Sequence, residues 1–395
     1  MSIPGAPKRI FKGTVRNPVR LDRIDTYSPG YLVVSGNAIE ELTGEDPRPR
    51  LGQVEYVDLG KQTIGPGFVD THVHLPQFLI MGIGVGELLS WLTSYTYPEE
   101  ARFADPRHAA DVAERFFDAM LANGTTTAVV YSSVHEEATD IAFSMAQAKG
   151  IRAFIGKAMM DQNAPEALLE RKGQSIASSL RLFEKWDGAD GGRLRYVFTP
   201  RFAASCSMDL MQEVGTMARE RGAFIQSHLS ENVDEVAWVR SLFPGLPSYA
   251  ATYDAAGMLT ERSIMAHCIH LSPDEIGLLA RRRTNVAFCP YSNRTLRSGT
   301  MPYSTLRDAG LKIGLGTDVA AGPSLSMLDQ IDQAIDAVKI PEPEAFYLAT
   351  LGGARILGLE NRIGSLEPGK DADFVVLDGR TVREVYVRGK RVYFG

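Results

Sequence analysis

Gly65-Pro66-Gly67-Phe68-Val69-Asp70-Thr71-His72-Val73-His74-Leu75-Pro76-Gln77 is the stretch on which the reading of this chain turns. Thr63 to His74 reads as one strand. Side chains along a strand alternate faces, so residues two apart point the same way. His72 and His74 then project together. Two neutral imidazoles side by side begin a metal site, because imidazole suits zinc, iron and nickel alike. Alone, such a pair is equally a polar patch on a half-exposed strand. The remainder of the chain decides between the two.

Outward from this stretch, apolar strand-like runs alternate with amphipathic stretches. The runs are Ile64 to His74, Thr125 to Ser132, Arg152 to Met159, Leu194 to Phe202, Ala223 to His228, Ser263 to His267, Asn285 to Cys289 and Lys312 to Asp318, eight in all. Between them lie helix-like segments such as Ala109 to Ala122, Ser175 to Trp186, Met208 to Arg221 and Asp274 to Arg281, and Glu342 to Leu357 follows the last. This α/β alternation predicts a (β/α)8 barrel of the TIM type.

The two ends have a different rhythm. Thr14 to Arg16, Tyr31 to Val34 and Val54 to Val57 are short β-type segments punctuated by Ser35-Gly36-Asn37 and a polar loop from Gly44 to Arg50. Ala372 to Leu377, Val382 to Val387 and Lys390 to Phe394 resemble them. The expectation is a small β-sandwich domain built from both chain ends, residues 1–65 plus 363–395, around a catalytic barrel at 66–362.

Bulk properties narrow the classes. Of 395 residues, 44% are hydrophobic and 23% charged, an ordinary composition with ample core. A net charge of −6 argues against a nucleic-acid partner. Cys206, Cys268 and Cys289 are too far apart for a metal knuckle or a disulfide framework. No apolar run has membrane-span length, and Met1 to Gly5 lacks the build of a signal peptide. These features fit a reduced, cytoplasmic compartment and no membrane partner.

In a (β/α)8 barrel the active site lies at the C-terminal ends of the strands. Five of the seven histidines fall at or just beyond such ends: His72, His74, His228, His267 and His270. His108 and His135 do not. Asp318 closes the eighth run and Glu231 follows the fifth. His72, His74, His228 and Asp318 suit one divalent transition metal with an open position for water, whose pKa such a metal lowers toward about 7. His267 is placed to hold that water or to serve as a further ligand. Asp318 and Glu231 are the candidate proton carriers. Glu235 and Asp254 read as solvated surface acids. This set is machinery for hydrolysis at an electrophilic carbon.

The pattern of His-x-His, then His, His and Asp on strands one, five, six and eight resembles the amidohydrolase superfamily. So does the closing phrase Gly364-Ser365-Leu366-Glu367-Pro368-Gly369-Lys370-Asp371-Ala372-Asp373. Further segments resemble the guanine deaminase family: Asp70 to Gln77, Trp91 to Glu100, Asn123 to Thr127, Met160 to Pro165, Thr199 to Phe202, His228 to Asn232, Ala266 to Ser272 and Gly316 to Val319. The resemblance implies release of ammonia from guanine to give xanthine, zinc as the metal with iron as the alternative, and a homodimer. It also implies that Gln77, Arg201 and Phe202 bind the base together with His228, Glu231, His267 and Asp318. The residue types suit that task. Arg201 is a fixed fork of donors, Gln77 offers a donor and an acceptor, and Phe202 offers a flat apolar surface.

After the seventh strand the chain departs from the family habit at Tyr291, Arg294 and Arg297. These residues admit a second reading, in which the same chemistry acts on a pterin, an oxidised guanine or an aminotriazine. A third reading, a non-catalytic barrel scaffold, has no use for a proton carrier at Glu231.

Overall fold

The computed structural model describes residues 7–83 and 86–395. Met1 to Gly5, read above for a signal, lies outside them. Two sheets organise the chain. The first has seven strands in the order β16-β15-β14-β4-β1-β2-β3. They are β1 (Lys8–Arg20), β2 (Arg23–Ser35), β3 (Ala38–Thr43), β4 (Glu55–Pro66), β14 (Phe374–Asp378), β15 (Thr381–Val387) and β16 (Lys390–Phe394). The expected short segments near the N-terminus are thus parts of long strands, because antiparallel pairing of β1 with β2 carries regular backbone through the polar residues between them. β4 joins the two ends of the chain, running parallel to β1 and antiparallel to β14. Phe11, Leu32, Val34, Ile64, Phe374 and Tyr386 share one small core, and Phe374 stacks on Tyr386 with centroids 4.3 Å apart. Ala38 bridges Asp371. The layer is therefore sandwich-like although one hydrogen-bonded path threads it.

The second sheet has nine strands, in the order β13-β12-β11-β10-β9-β7-β6-β5 with the two-residue β8 (Ala158–Met159) beside β9. Its main strands are β5 (Phe68–His74), β6 (Thr125–Tyr131), β7 (Arg152–Gly156), β9 (Leu194–Pro200), β10 (Phe224–Leu229), β11 (Ser263–His267), β12 (Asn285–Phe288) and β13 (Ile313–Leu315). All pair in parallel. Strands buried on both faces carry continuous apolar runs, as Ala128 to Tyr131 of β6 and Ala153 to Ile155 of β7 do. The ring closes where Asp318 N donates to the His72 carbonyl at 2.8 Å and His74 N to the Val319 carbonyl at 3.1 Å. This is the expected (β/α)8 barrel.

Three local expectations are corrected. Thr63 to His74 is not one strand: β4 ends at Pro66 and the barrel begins at Phe68. Gly67 makes the transfer. Its N–H goes back to Asp373, and a Cβ there would lie 2.1 Å from Thr126 Oγ1, so only glycine lets the two layers approach this closely. The eighth strand ends at Leu315, three residues before Asp318, which turns into the site at a φ of 49°. The segment Glu342 to Leu357 is helical at Glu342–Tyr347 and Gly353–Ile356 with a wider turn between them.

Helix termini follow local chemistry. Ser207 Oγ accepts from Leu210 N at the start of Met208–Arg221, and Gly222 ends that helix in the left-handed region. Ser272 with Glu275 and Asn232 with Glu235 form reciprocal caps after β11 and β10. The layers are tied by Arg152, wholly buried, whose Nη2 donates to Asp371 at 2.6 Å.

Candidate active site

His72, His74, Gln77, Arg201, Phe202, His228, Glu231, His267 and Asp318 converge on one end of the barrel, whereas His270 does not join them. On β5 the period of two carries His72 and His74 together, with their Nε2 atoms 3.2 Å apart. His228 Nε2 lies 3.2 Å from His74 Nε2. Asp318 Oδ1 is 3.2 Å from His72 and 3.3 Å from His74, and its Oδ2 is 3.8 Å from His267 Nε2. One ligand atom from each of His72, His228, His267 and Asp318 falls within 4.8 Å of the others. His270 turns away, with its Nε2 on the Ser298 carbonyl at 2.7 Å. His267 and Asp318 both hold positive φ, at 72° and 49°, a strained backbone that the barrel end imposes on two residues of the site.

The orientation of the rings fits a cation. His228 Nδ1 donates to the Arg201 carbonyl at 2.7 Å and His267 Nδ1 to Asn293 Oδ1 at 2.9 Å. Each ring thereby turns its Nε2 lone pair to the centre. His267 Nε2 is buried without a hydrogen-bond partner. Burial pushes three of the imidazoles toward their neutral form: His72 below its ordinary value, His74 to about 4 and His228 well below its ordinary value. Neutral imidazoles and a carboxylate crowded at such distances form a donor set for a divalent transition metal.

Glu231 sits beside this group. Its Oε2 is 3.4 Å from His267 Nε2, and its Oε1 accepts from Ser298 Oγ at 3.3 Å. Burial and then the charge of Asp318 push its carboxyl well above the usual carboxylate range. Glu235 is not a solvated acid as expected. It is 1% exposed, and it receives Glu231 N at 2.8 Å and the Tyr249 hydroxyl at 2.7 Å. The capping box after β10 thus also fixes the backbone of Glu231.

A cavity opens from the cluster. His74, His228, Glu231, His267 and Asp318 form its polar floor; Gln77, Arg201 and Phe202 line its side, and Leu88, Trp91, Leu92 and Leu296 its apolar walls. Phe202 meets Trp238 edge-on at 5.9 Å. Arg201 Nη1 donates to Glu100 at 2.5 and 2.8 Å, and Gln77 Nε2 donates to the same carboxylate at 3.0 Å. Burial works against the charge of Arg201, yet Glu100 and Tyr97 outweigh it and hold the guanidinium above its ordinary value.

Tyr291, Arg294 and Arg297 do not line this cavity. Arg294 lies over the Tyr291 ring at 5.2 Å, and Arg294 and Arg297 edge a separate surface cavity with Gln333 and Asp336. Their departure from the family habit gives no support to a changed ring. Sequence reasoning gave no role to Glu100, Asn293, Ser298 or Tyr131, whose ring packs 4.5 to 4.9 Å from three of the histidines. Glu100 lay within a segment that carried the family resemblance, and Asn293 within the loop that departed from it.

A closed parallel barrel with a four-histidine and aspartate cluster at its C-terminal mouth defines a metal-dependent hydrolase. The amidohydrolase family matches residues 63–392, and the chain belongs to it. Within that family it groups with the guanine deaminases. It is 38% identical to the guanine deaminase of Dictyostelium discoideum over 98% of this chain and 94% of that protein. It superposes on the E. coli guanine deaminase with a TM-score of 0.94 at 33% identity, covering 98% of this chain and 99% of the other. A guanine deaminase from C. acetobutylicum with guanine bound in its active site superposes with a TM-score of 0.93 at 32% identity, covering 98% and 100%. No helix among the described residues is long and apolar enough to cross a membrane.

Proposed function

We propose that the chain deaminates guanine hydrolytically, giving xanthine and ammonia. One observation carries this reading: a single buried cavity joins the histidine–aspartate cluster and Glu231 to Gln77, Arg201 and Phe202. His72, His74, His228 and Asp318, with His267 beside them, would hold one divalent metal, and we assign zinc. Such a metal supplies Lewis acidity and makes water nucleophilic at neutral pH.

The chain's own residues do the rest. Arg201 offers donors to the carbonyl edge of the base, Gln77 pairs with the adjoining amide edge, and Phe202 covers the ring. Water adds at C2. Asp318 takes a proton from that water, and Glu231 protonates a ring nitrogen so that the purine accepts the electrons. Asp318 returns its proton to the departing amine, the C2–N bond breaks, and Glu231 recovers its proton as the ring is restored. The walls formed by Leu88, Trp91 and Leu92 keep bulk water away.

The same reading divides the chain into a sandwich domain at 1–65 plus 363–395 and a catalytic barrel at 66–362. A homodimer is supported by the family habit, and a cytoplasmic location by three free, buried cysteines. Sedimentation of the purified protein tests the first. Loss of guanine absorbance with zinc-loaded protein, and its absence in Glu231→Gln, tests the activity. No turnover by metal-replete wild-type protein would overturn the reading.

A further inference from the structure

Glu100 is 1% exposed, and it touches both of the hydrogen-bonding residues, Gln77 and Arg201, assigned above to the base. It comes from the helix Tyr97–Ala101, which follows the segment lining the cavity wall. One carboxylate oxygen accepts from Gln77 Nε2 at 3.0 Å and from Arg201 Nη1 at 2.8 Å; the other accepts from Arg201 Nη1 at 2.5 Å. On its far side Gln77 is also held, because Ala320 N donates to its Oε1 at 3.2 Å. The amide of Gln77 therefore cannot flip: its nitrogen must face a carboxylate and its oxygen an N–H. One N–H and one lone pair of that amide remain for a ligand. Arg201 likewise keeps Nε and Nη2 free of Glu100.

From this geometry we infer that Glu100 is a positioning residue which presets the cavity for a lactam, a ring carbonyl beside a ring N–H. The inference rests on the function proposed above. Arg201 supplies donors only, so it meets a carbonyl and leaves an exocyclic amine at that position unpaired. Gln77, locked in one orientation, offers an acceptor to the lactam N–H. Glu100 does not reach the reacting carbon; it fixes the two groups that do the reading and neutralises a buried guanidinium. A ring lacking the carbonyl gains nothing from the arrangement.

The test uses the full, metal-loaded chain and two readouts. One is guanine turnover. The other is calorimetric binding of hypoxanthine, which has the lactam but no 2-amino group to lose, with unsubstituted purine as the control ring. Glu100→Gln should raise the KM for guanine and weaken hypoxanthine binding by about 10- to 100-fold each, the effect of hydrogen bonds to charged groups. The kcat should change by less than about 5-fold and purine binding by less than about 2-fold, because the reacting groups and the ring surface are untouched. Glu100→Asp should recover part of the hypoxanthine affinity. Unchanged guanine KM and hypoxanthine affinity in Glu100→Gln would overturn the inference, as would equal losses for hypoxanthine and purine.

Glu100→Gln leaves a buried arginine unpaired and risks misfolding, so Arg201→Gln and the double variant are made beside it. If Glu100 acts through Arg201, its substitution in the Arg201→Gln background weakens hypoxanthine binding less than in the wild type. The same loss in both backgrounds overturns the inference. Wild-type protein that binds hypoxanthine without deaminating guanine contradicts the proposed activity instead, and that result is separate from any response of Glu100→Gln.

Discussion

The carbonyl oxygen of Arg201 accepts the Nδ1 proton of His228 at 2.7 Å. One residue therefore serves two parts of the site: its backbone aims the His228 imidazole at the histidine cluster and its side chain lines the cavity. The two roles separate on mutation, since side-chain substitution leaves the carbonyl in place. Arg201→Lys should raise the KM for guanine by about 10- to 100-fold, because an ammonium cannot reproduce the fork of donors. Its zinc content by atomic absorption should equal that of the wild type.

Asn293 performs for His267 what Arg201 performs for His228. Removing Oδ1 frees the ring to turn and to exchange its tautomer. Asn293→Ala should lower zinc affinity or activity by about 10- to 100-fold, the usual effect of losing such a support. Asn293→Asp keeps an acceptor and should retain more activity. Competition with a chromogenic chelator reads the affinity; equal affinities for Asn293→Ala and wild type would remove this role.

Glu231 lies against His267 without belonging to the tight ligand group. Glu231→Gln should reduce kcat by about 100- to 10,000-fold, the range for a lost proton carrier. Hypoxanthine should still bind and zinc should remain stoichiometric. Loss of metal in this variant would assign Glu231 to ligation rather than proton transfer.

Stripping the metal should abolish ammonia release and lower the melting temperature, because inward-facing lone pairs of buried imidazoles then confront one another and a ligand that binds only the folded state is lost. Adding zinc back should restore both. A chelator-treated, metal-free protein that still deaminates guanine would refute the assignment.

Arg152 is fully buried, with Asp371 at 2.6 Å and Asp373 at 3.5 Å. Arg152→Met leaves the buried Asp373 carboxylate without its cation, while Asp371 keeps Arg362 at 2.9 Å, and should destabilise the fold by about 3–5 kcal/mol in urea titrations. The folded fraction should keep wild-type kcat, since the pair lies at the junction of the layers and outside the cavity.

Much of the site was legible because it obeys short rules. The period of two placed His72 with His74, and strand ends placed His228 and His267. Asp318 was legible as a member of the cluster although its strand stops at Leu315, since the turn that follows carries it the remaining distance. Glu100 was hidden because its partners lie 23 and 101 residues away, and no local pattern reports such contacts. Asn293 was hidden for a similar reason: its value depends on how the loop after β12 sits over His267. The break at Gly67 was missed because apolar residues continue through it. Only the approach of Thr126, from another strand, demands that glycine. Glu235 reads as solvated because a capping acid at a helix start is ordinarily at the surface, whereas here Val233 stays exposed while Asn232 and Glu235 turn inward.

β4 lies between β1, which comes from the same end of the chain, and β14, which follows the whole barrel. During synthesis one edge of β4 must wait, its backbone donors and acceptors unmatched, until Phe374 to Leu377 leave the ribosome. The barrel is translated within that interval. Completion of the first sheet thus records completion of the enzyme, and a product that stops short of β14 displays an open strand edge, the feature by which unfinished chains aggregate or meet proteases.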